Sequence, residues 1–148
     1  MKRIRLLVLA GAVAIALPFG LMSASATDTP TNSVAIQRHA QYDNFGNIIH
    51  VGLDVRCKTG TVPADPGQVQ VSVSQEPPET PYPMTAGSGL NNVVCDGSTH
   101  SVGVTIFGAP GFDAGRAQAT ATLFPPVGGG NGVTVTRTIN IIVMNQGD

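Results

Sequence analysis

From Val34 to Val143 apolar and polar positions alternate in short runs, and the three-to-four spacing of an amphipathic helix is missing. The clearest run sets Ile49, Val51, Leu53, Val55 and Cys57 against His50, Gly52, Asp54 and Arg56. Successive side chains of a strand point to opposite sides, so this run predicts a strand with one buried face. Before it, Val34 and Ile36 alternate with Ala35 and Gln37, and residues 42–47 are rich in turn formers, which predicts a hairpin. Val69, Val71 and Val73 alternate with Gln68, Gln70, Ser72 and Ser74 as a third strand.

Residues 90–95 predict a short fourth strand, Asp96-Gly97 a tight turn, and Val102, Val104 and Ile106 a fifth strand. Ala117, Ala119, Ala121 and Leu123 form the inner face of a sixth, whose small side chains imply that something packs close above them. The last strand, Val133–Val143, carries Val133, Val135, Ile139, Ile141 and Val143 on its apolar face, interrupted by Arg137. That interruption predicts a rim position, an edge, or a buried stem with its charge in water.

The connections are rich in Gly and Pro. Residues 58–67 read as a loop, and so do 108–115 and 124–132. Residues 76–89 begin Glu76-Pro77-Pro78-Glu79-Thr80-Pro81-Tyr82-Pro83, which predicts an extended surface loop. Seven strand-like segments separated by turns, several of them long for a meander, predict an antiparallel immunoglobulin-like β-sandwich in preference to a closed barrel. The Trp that immunoglobulin domains pack on their disulfide is missing.

The first 26 residues change the setting. Lys2, Arg3 and Arg5 precede an uncharged apolar run over 6–17, and Ala24-Ser25-Ala26 has the small-x-small form of a cleavage site. Pro18 and Gly20 interrupt the run before it reaches the length of a membrane span. A secretory signal peptide over 1–26 and a single domain over 27–148 are therefore expected, with a secreted product. Residues 27–148 hold five basic residues against nine acidic ones, which argues against a nucleic-acid or anionic-membrane binder. Charged residues make up 11% of the chain against about 25% in an average protein, while Gly numbers 18 and Pro 11, which suits turns and strands.

Only two cysteines occur, Cys57 and Cys95, and in an oxidising compartment they are expected to form one disulfide. A redox or metal pair would call for a C-x-x-C spacing or further cysteines, which the chain lacks. Arg56-Cys57 with Gly60, the Val69-x-Val71-x-Val73-x-Gln75 run, Cys95-Asp96-Gly97, and Phe112-x-x-Gly115-x-Ala117-x-Ala119-x-Ala121 form a recurring pattern. In it the chain resembles the small secreted actinobacterial families of unknown function that carry one disulfide on an immunoglobulin-like sandwich. The resemblance covers about residues 34–123 and implies fold and export, with no residue roles to carry over.

Candidate chemistry is sparse. Gly87-Ser88-Gly89 lacks the spacing of a nucleophile elbow and reads as a turn. Glu76 and Glu79, the only glutamates, fall in the Pro-rich loop and read as solvated charges. Asp43, Asn44 and Asn47 read as turn formers, because calcium needs six to eight ligands and a bidentate acid. No catalytic residue and no cofactor are expected.

The histidines offer a sharper idea. For Val34 and Ile36 to share a core with Leu53 and Val55, paired residue numbers must sum to an odd value near 89. A sum of 89 puts His39 opposite His50 on the outer face, about 5 Å apart, where the two could share a transition metal or form an acid-sensitive pair; sums of 87 and 91 are also allowed, and solvated surface histidines are the plainer reading.

The function expected is a non-enzymatic binding or structural module of the extracellular or cell-envelope space, monomeric, with a protein or glycan partner. Tyr82 and Met84 in the Pro-rich loop are its candidate contacts. The alternative is a secreted protease inhibitor presenting loop 76–89.

Overall fold

The structure is a computed structural model, and it describes residues 31–43, 47–62, 65–76, 84–108 and 111–144. The expected signal segment and Tyr82 lie outside the described residues. The chain is all-β, with seven strands: β1 Ser33–Asp43, β2 Ile48–Arg56, β3 Gly67–Gln75, β4 Thr85–Val93, β5 Thr99–Gly108, β6 Gly115–Phe124 and β7 Val133–Val143. Alternation makes each strand two-faced, and the apolar face of each is turned inward. Ile36, Ile49, Leu53, Ile106, Leu123, Ile139 and Ile141 are fully buried together with the valines of β2 and β3. Ala117, Ala119 and Ala121 keep β6 close to this core, as their size implied.

The expected open sandwich is corrected to a closed sheet. The strands follow the order β1-β2-β5-β4-β3-β6-β7, and β7 returns to β1. All pairings are antiparallel except β1 with β7, which is parallel. Two features that alternation alone does not reveal close the sheet.

The first is a bulge in β1. Pairs with β2 sum to 89 from Ser33 to Ile36 and to 91 from Ala40 to Asp43, so Gln37, Arg38 and His39 together face Gly52. Two extra residues preserve parity, and Val34, Ile36, Ala40 and Tyr42 all stay buried. The bend they create carries the second half of β1 onto β7, where His39–Tyr42 pair with Asn140–Val143. Arg137 serves this bend. It stands among the inward positions of β7, and its Nη1 donates to the Ile36 carbonyl at 2.6 Å, just before the bulge. A charged donor on a partly buried carbonyl contributes about 1.5–3 kcal/mol. Arg137→Leu should therefore lower unfolding stability by about 2 kcal/mol in urea titration, and Arg137→Lys by less.

The second feature is β4. The reading of Gly87-Ser88-Gly89 as a turn is corrected: these residues are mid-strand, and β4 begins at Thr85 where 90–95 was expected. Val71 faces Gly89 and Val73 faces Gly87, so the glycines occupy inward positions opposite bulky valines. A Cβ at Gly89 would overlap the Thr105 carbonyl oxygen of β5, so only glycine permits the approach that closes the sheet. The β4–β5 ladder is short, Gly87 with Gly108 and Ser88 with Phe107. Asn91 extends it by donating from Nδ2 to the Gly103 carbonyl at 2.7 Å.

Candidate binding surface

The outward positions of β4, β3, β6 and β7 fall into register as a grid. One row runs Leu90, Gln70, Thr122, Thr134; the next Ser88, Ser72, Thr120, Thr136; the third Ala86, Ser74, Gln118, Thr138. These twelve positions hold no charged side chain. Strands lie about 4.8 Å apart and same-face residues along a strand about 6.8 Å apart, so hydroxyls and amides recur at regular spacing. Paired threonines bond one another, with hydroxyls 3.0 Å apart for Thr120 and Thr136 and 3.1 Å apart for Thr122 and Thr134. Beyond the grid at one end Phe124 pairs with Gln68 and is 47% exposed, and Leu90 at its corner is 56% exposed. Sequence reasoning read these side chains only as the polar half of each alternation. The signal available was their uniform lack of charge in four separate strands.

The disulfide sits at the Phe124 end. Cys57 and Cys95 are bonded, with Cα atoms 4.4 Å apart and a sequence separation of 38. The Gly97 N–H donates to the Cys57 carbonyl at 2.8 Å, and Arg56 Nε donates to the Gly97 carbonyl at 2.8 Å, so the turn after Cys95 is tied to the end of β2. Asp96 Oδ1 accepts from His100 Nε2 at 2.9 Å and from the Ser98 N–H at 2.8 Å. These bonds, the His100 one foremost, hold the Asp96 carboxyl below its ordinary value of 3.8. A carboxyl lowered by folding adds stability above the unfolded range, and that contribution is lost as pH falls through the folded value. Carbon-13 titration of Asp96 should give a midpoint below 3.8, and His100→Ala should move it up.

Buried Gln75 works at the opposite end. Its Oε1 accepts the Asp113 N–H at 2.8 Å, and its Nε2 donates to the carbonyls of Asp113 at 3.0 Å and Arg116 at 3.3 Å. One side chain thereby fixes the approach to β6.

The proposed pairing of His39 with His50 is corrected by the β1 bulge: Gln41 faces His50, while His39 faces Asn140 of β7. His50 Nδ1 lies instead 3.3 Å from the Thr105 hydroxyl. Among the described residues no group of three His, Cys, Asp or Glu is placed to hold a metal ion. Met84 stands 61% exposed immediately before β4, and the residues from Thr85 to Gly89, expected in the loop, belong to that strand. No family model matches the chain, and no curated protein matches it.

Proposed function

We propose that the chain is an exported, non-enzymatic module that binds the uncharged sugar units of a glycan of the extracellular or cell-envelope space through the outer face of β4, β3, β6 and β7. The carrying observation is the uncharged grid, centred on the Ser88, Ser72, Thr120, Thr136 row. A glycan presents hydroxyls that both donate and accept, as do the Thr and Ser hydroxyls and the Gln amides of this face. A charged partner would find no complement in these rows. Leu90 and Phe124 add apolar area at the margins, where sugar rings can pack. Ser88 pairs with Ser72 inside the grid and with Phe107 of β5 beyond its edge, which favours a contact role over a nucleophile.

Export rests on the signal-like segment over 1–26, and the disulfide is compatible with an oxidising compartment. The immunoglobulin-like outline rests on strand order: β1, β2 and β5 adjoin as the first, second and fifth strands of such domains do, and β3, β6 and β7 as their counterparts. The disulfide departs from that plan, since Cys95 follows β4.

The test is retention of the secreted protein on insoluble cellulose, chitin and cross-linked dextran. Retention on at least one, lost in Thr120→Glu/Thr136→Glu, is expected. No retention on any, or equal retention of the variant, would refute the reading.

The exposure of Met84 keeps the inhibitor alternative open to a direct trial. Stoichiometric inhibition of subtilisin or chymotrypsin would support it, and cleavage without inhibition would exclude it.

A further inference from the structure

Most of the positive charge beyond residue 26 gathers where β1 leaves β7. A recess of about 450 Å³ there is lined chiefly by Arg38, His39, Arg116, Arg137, Thr138 and Asn140. His39 faces Asn140 across the parallel ladder, and Asn140 faces Arg116 across the next, so the three form one exposed row over β1, β7 and β6. Arg38 comes from the bulge, and Arg137 from an inward position of β7. Arg137 commits one donor to the Ile36 carbonyl, and a guanidinium has five.

Three of the five basic residues after position 26 thus meet in one place, in a segment that is acidic overall. No Asp or Glu lines the recess, and none of its arginines is ion-paired with a described residue. Like charges brought together without a counter-charge repel, and an anion relieves that repulsion. Guanidinium donors arriving from three strands, with an amide and a hydroxyl beside them, suit a tetrahedral oxyanion with several acceptor oxygens better than a carboxylate with two.

The recess also continues into the grid. Arg116 and Thr138 line a neighbouring hollow as well, together with Ser74, Gln118, Met84 and Glu76. Gln118, Ser74 and Thr138 belong to the third row of the uncharged face. We propose that the recess is an oxyanion site that takes a phosphate or sulfate ester carried on a polysaccharide lying across the grid. The inference rests on the polysaccharide reading of the outer face and adds the class of substituent that the polymer bears.

The test uses the secreted protein at constant ionic strength in sodium chloride, titrated with short dextran, dextran phosphate, dextran sulfate and inorganic phosphate. Binding is followed through the side-chain Nε–Hε NMR signals of Arg38, Arg116 and Arg137. Saturable shifts are expected with at least one ester, at an affinity at least ten-fold tighter than for inorganic phosphate. Arg38→Gln/Arg116→Gln should weaken that binding at least ten-fold with the thermal midpoint unchanged, whereas Lys58→Gln should leave it intact. Absence of saturable shifts with both esters, or equal affinity in the double variant, would overturn the site. Equal affinity for inorganic phosphate and the esters would overturn the claim that the anion is polymer-borne. Ester binding in a protein that is retained on no neutral polymer would uphold the recess and remove the neutral-face reading, so the two failures are distinct.

Discussion

Replacing Cys57 and Cys95 by serine should lower the unfolding free energy by about 4 kcal/mol, the entropy of closing a loop with a separation of 38. That loss is a large share of the roughly 5–15 kcal/mol that holds a domain of this size. Geometry makes it a bond with no slack around it. Gly67, the first residue of β3, lies so close that a Cβ there would stand 2.7 Å from Cys95 Sγ and 3.1 Å from Cys57 Sγ. The bond therefore sets how β2, β3 and the end of β4 meet, and the Phe124 end of the grid hangs from the same junction through the pairing of Gln68 with Phe124. Urea unfolding of oxidised protein and the double serine variant measures the difference. A loss below about 1 kcal/mol would mean that the loops at this end hold themselves without the bond.

Gly89→Val should be nearly as damaging, costing about 3 kcal/mol, at the upper end of what overpacking produces. The new side chain has nowhere to go, because the Thr105 backbone carbonyl and the Val104 side chain occupy its space. Backbone cannot yield as a flexible side-chain end can, so β4 must move off β5 and the two-pair ladder at Ser88 and Gly87 is lost. Asn91 would lose its reach to the Gly103 carbonyl as well. Faster amide exchange confined at first to β4 and β5, together with the drop in unfolding free energy, is the expected signature. By contrast Leu90→Val, an exposed change one residue along the same strand, should cost less than about 0.5 kcal/mol.

Strand positions were legible wherever burial imposed strict alternation. Ile49 to Val55 and Val69 to Val73 could be read directly, because one face of each is wholly buried. Parity limited the β1–β2 register to an odd sum near 89, and the pairs Ile36 with Leu53 and Val34 with Val55 fall on one of the sums it allowed. Closure was not legible, because it depends on two departures from alternation. The β1 bulge adds an even number of residues, which leaves the apolar pattern unchanged while it redirects the strand to β7. In β4 the inward residues are glycines, which look like a turn in sequence although they meet a neighbouring backbone in space.

The same bulge explains why the histidine pairing failed and why the arginine recess went unseen. Arg116 and Arg137 lie on the neighbouring strands β6 and β7, and only the parallel return of β1 to β7 brings Arg38 to them. Arg137 had three readings open from sequence: a rim, an edge or a buried stem. Its bond to Ile36 is nearest the third, with the charged head capping a backbone carbonyl at the point where β1 bends away.

Both proposed sites depend on one closed sheet, and a nuclear Overhauser spectrum of the oxidised protein tests that claim most directly. Closure predicts backbone contacts between Ser88 and Phe107 and between Ala40 and Ile141, while Val93 contacts Gly67 and Val102 contacts Leu53 and the two valines do not pair with each other. A regular β4–β5 hairpin running on through Val93 and Val102, with no contact between Ala40 and Ile141, would contradict it.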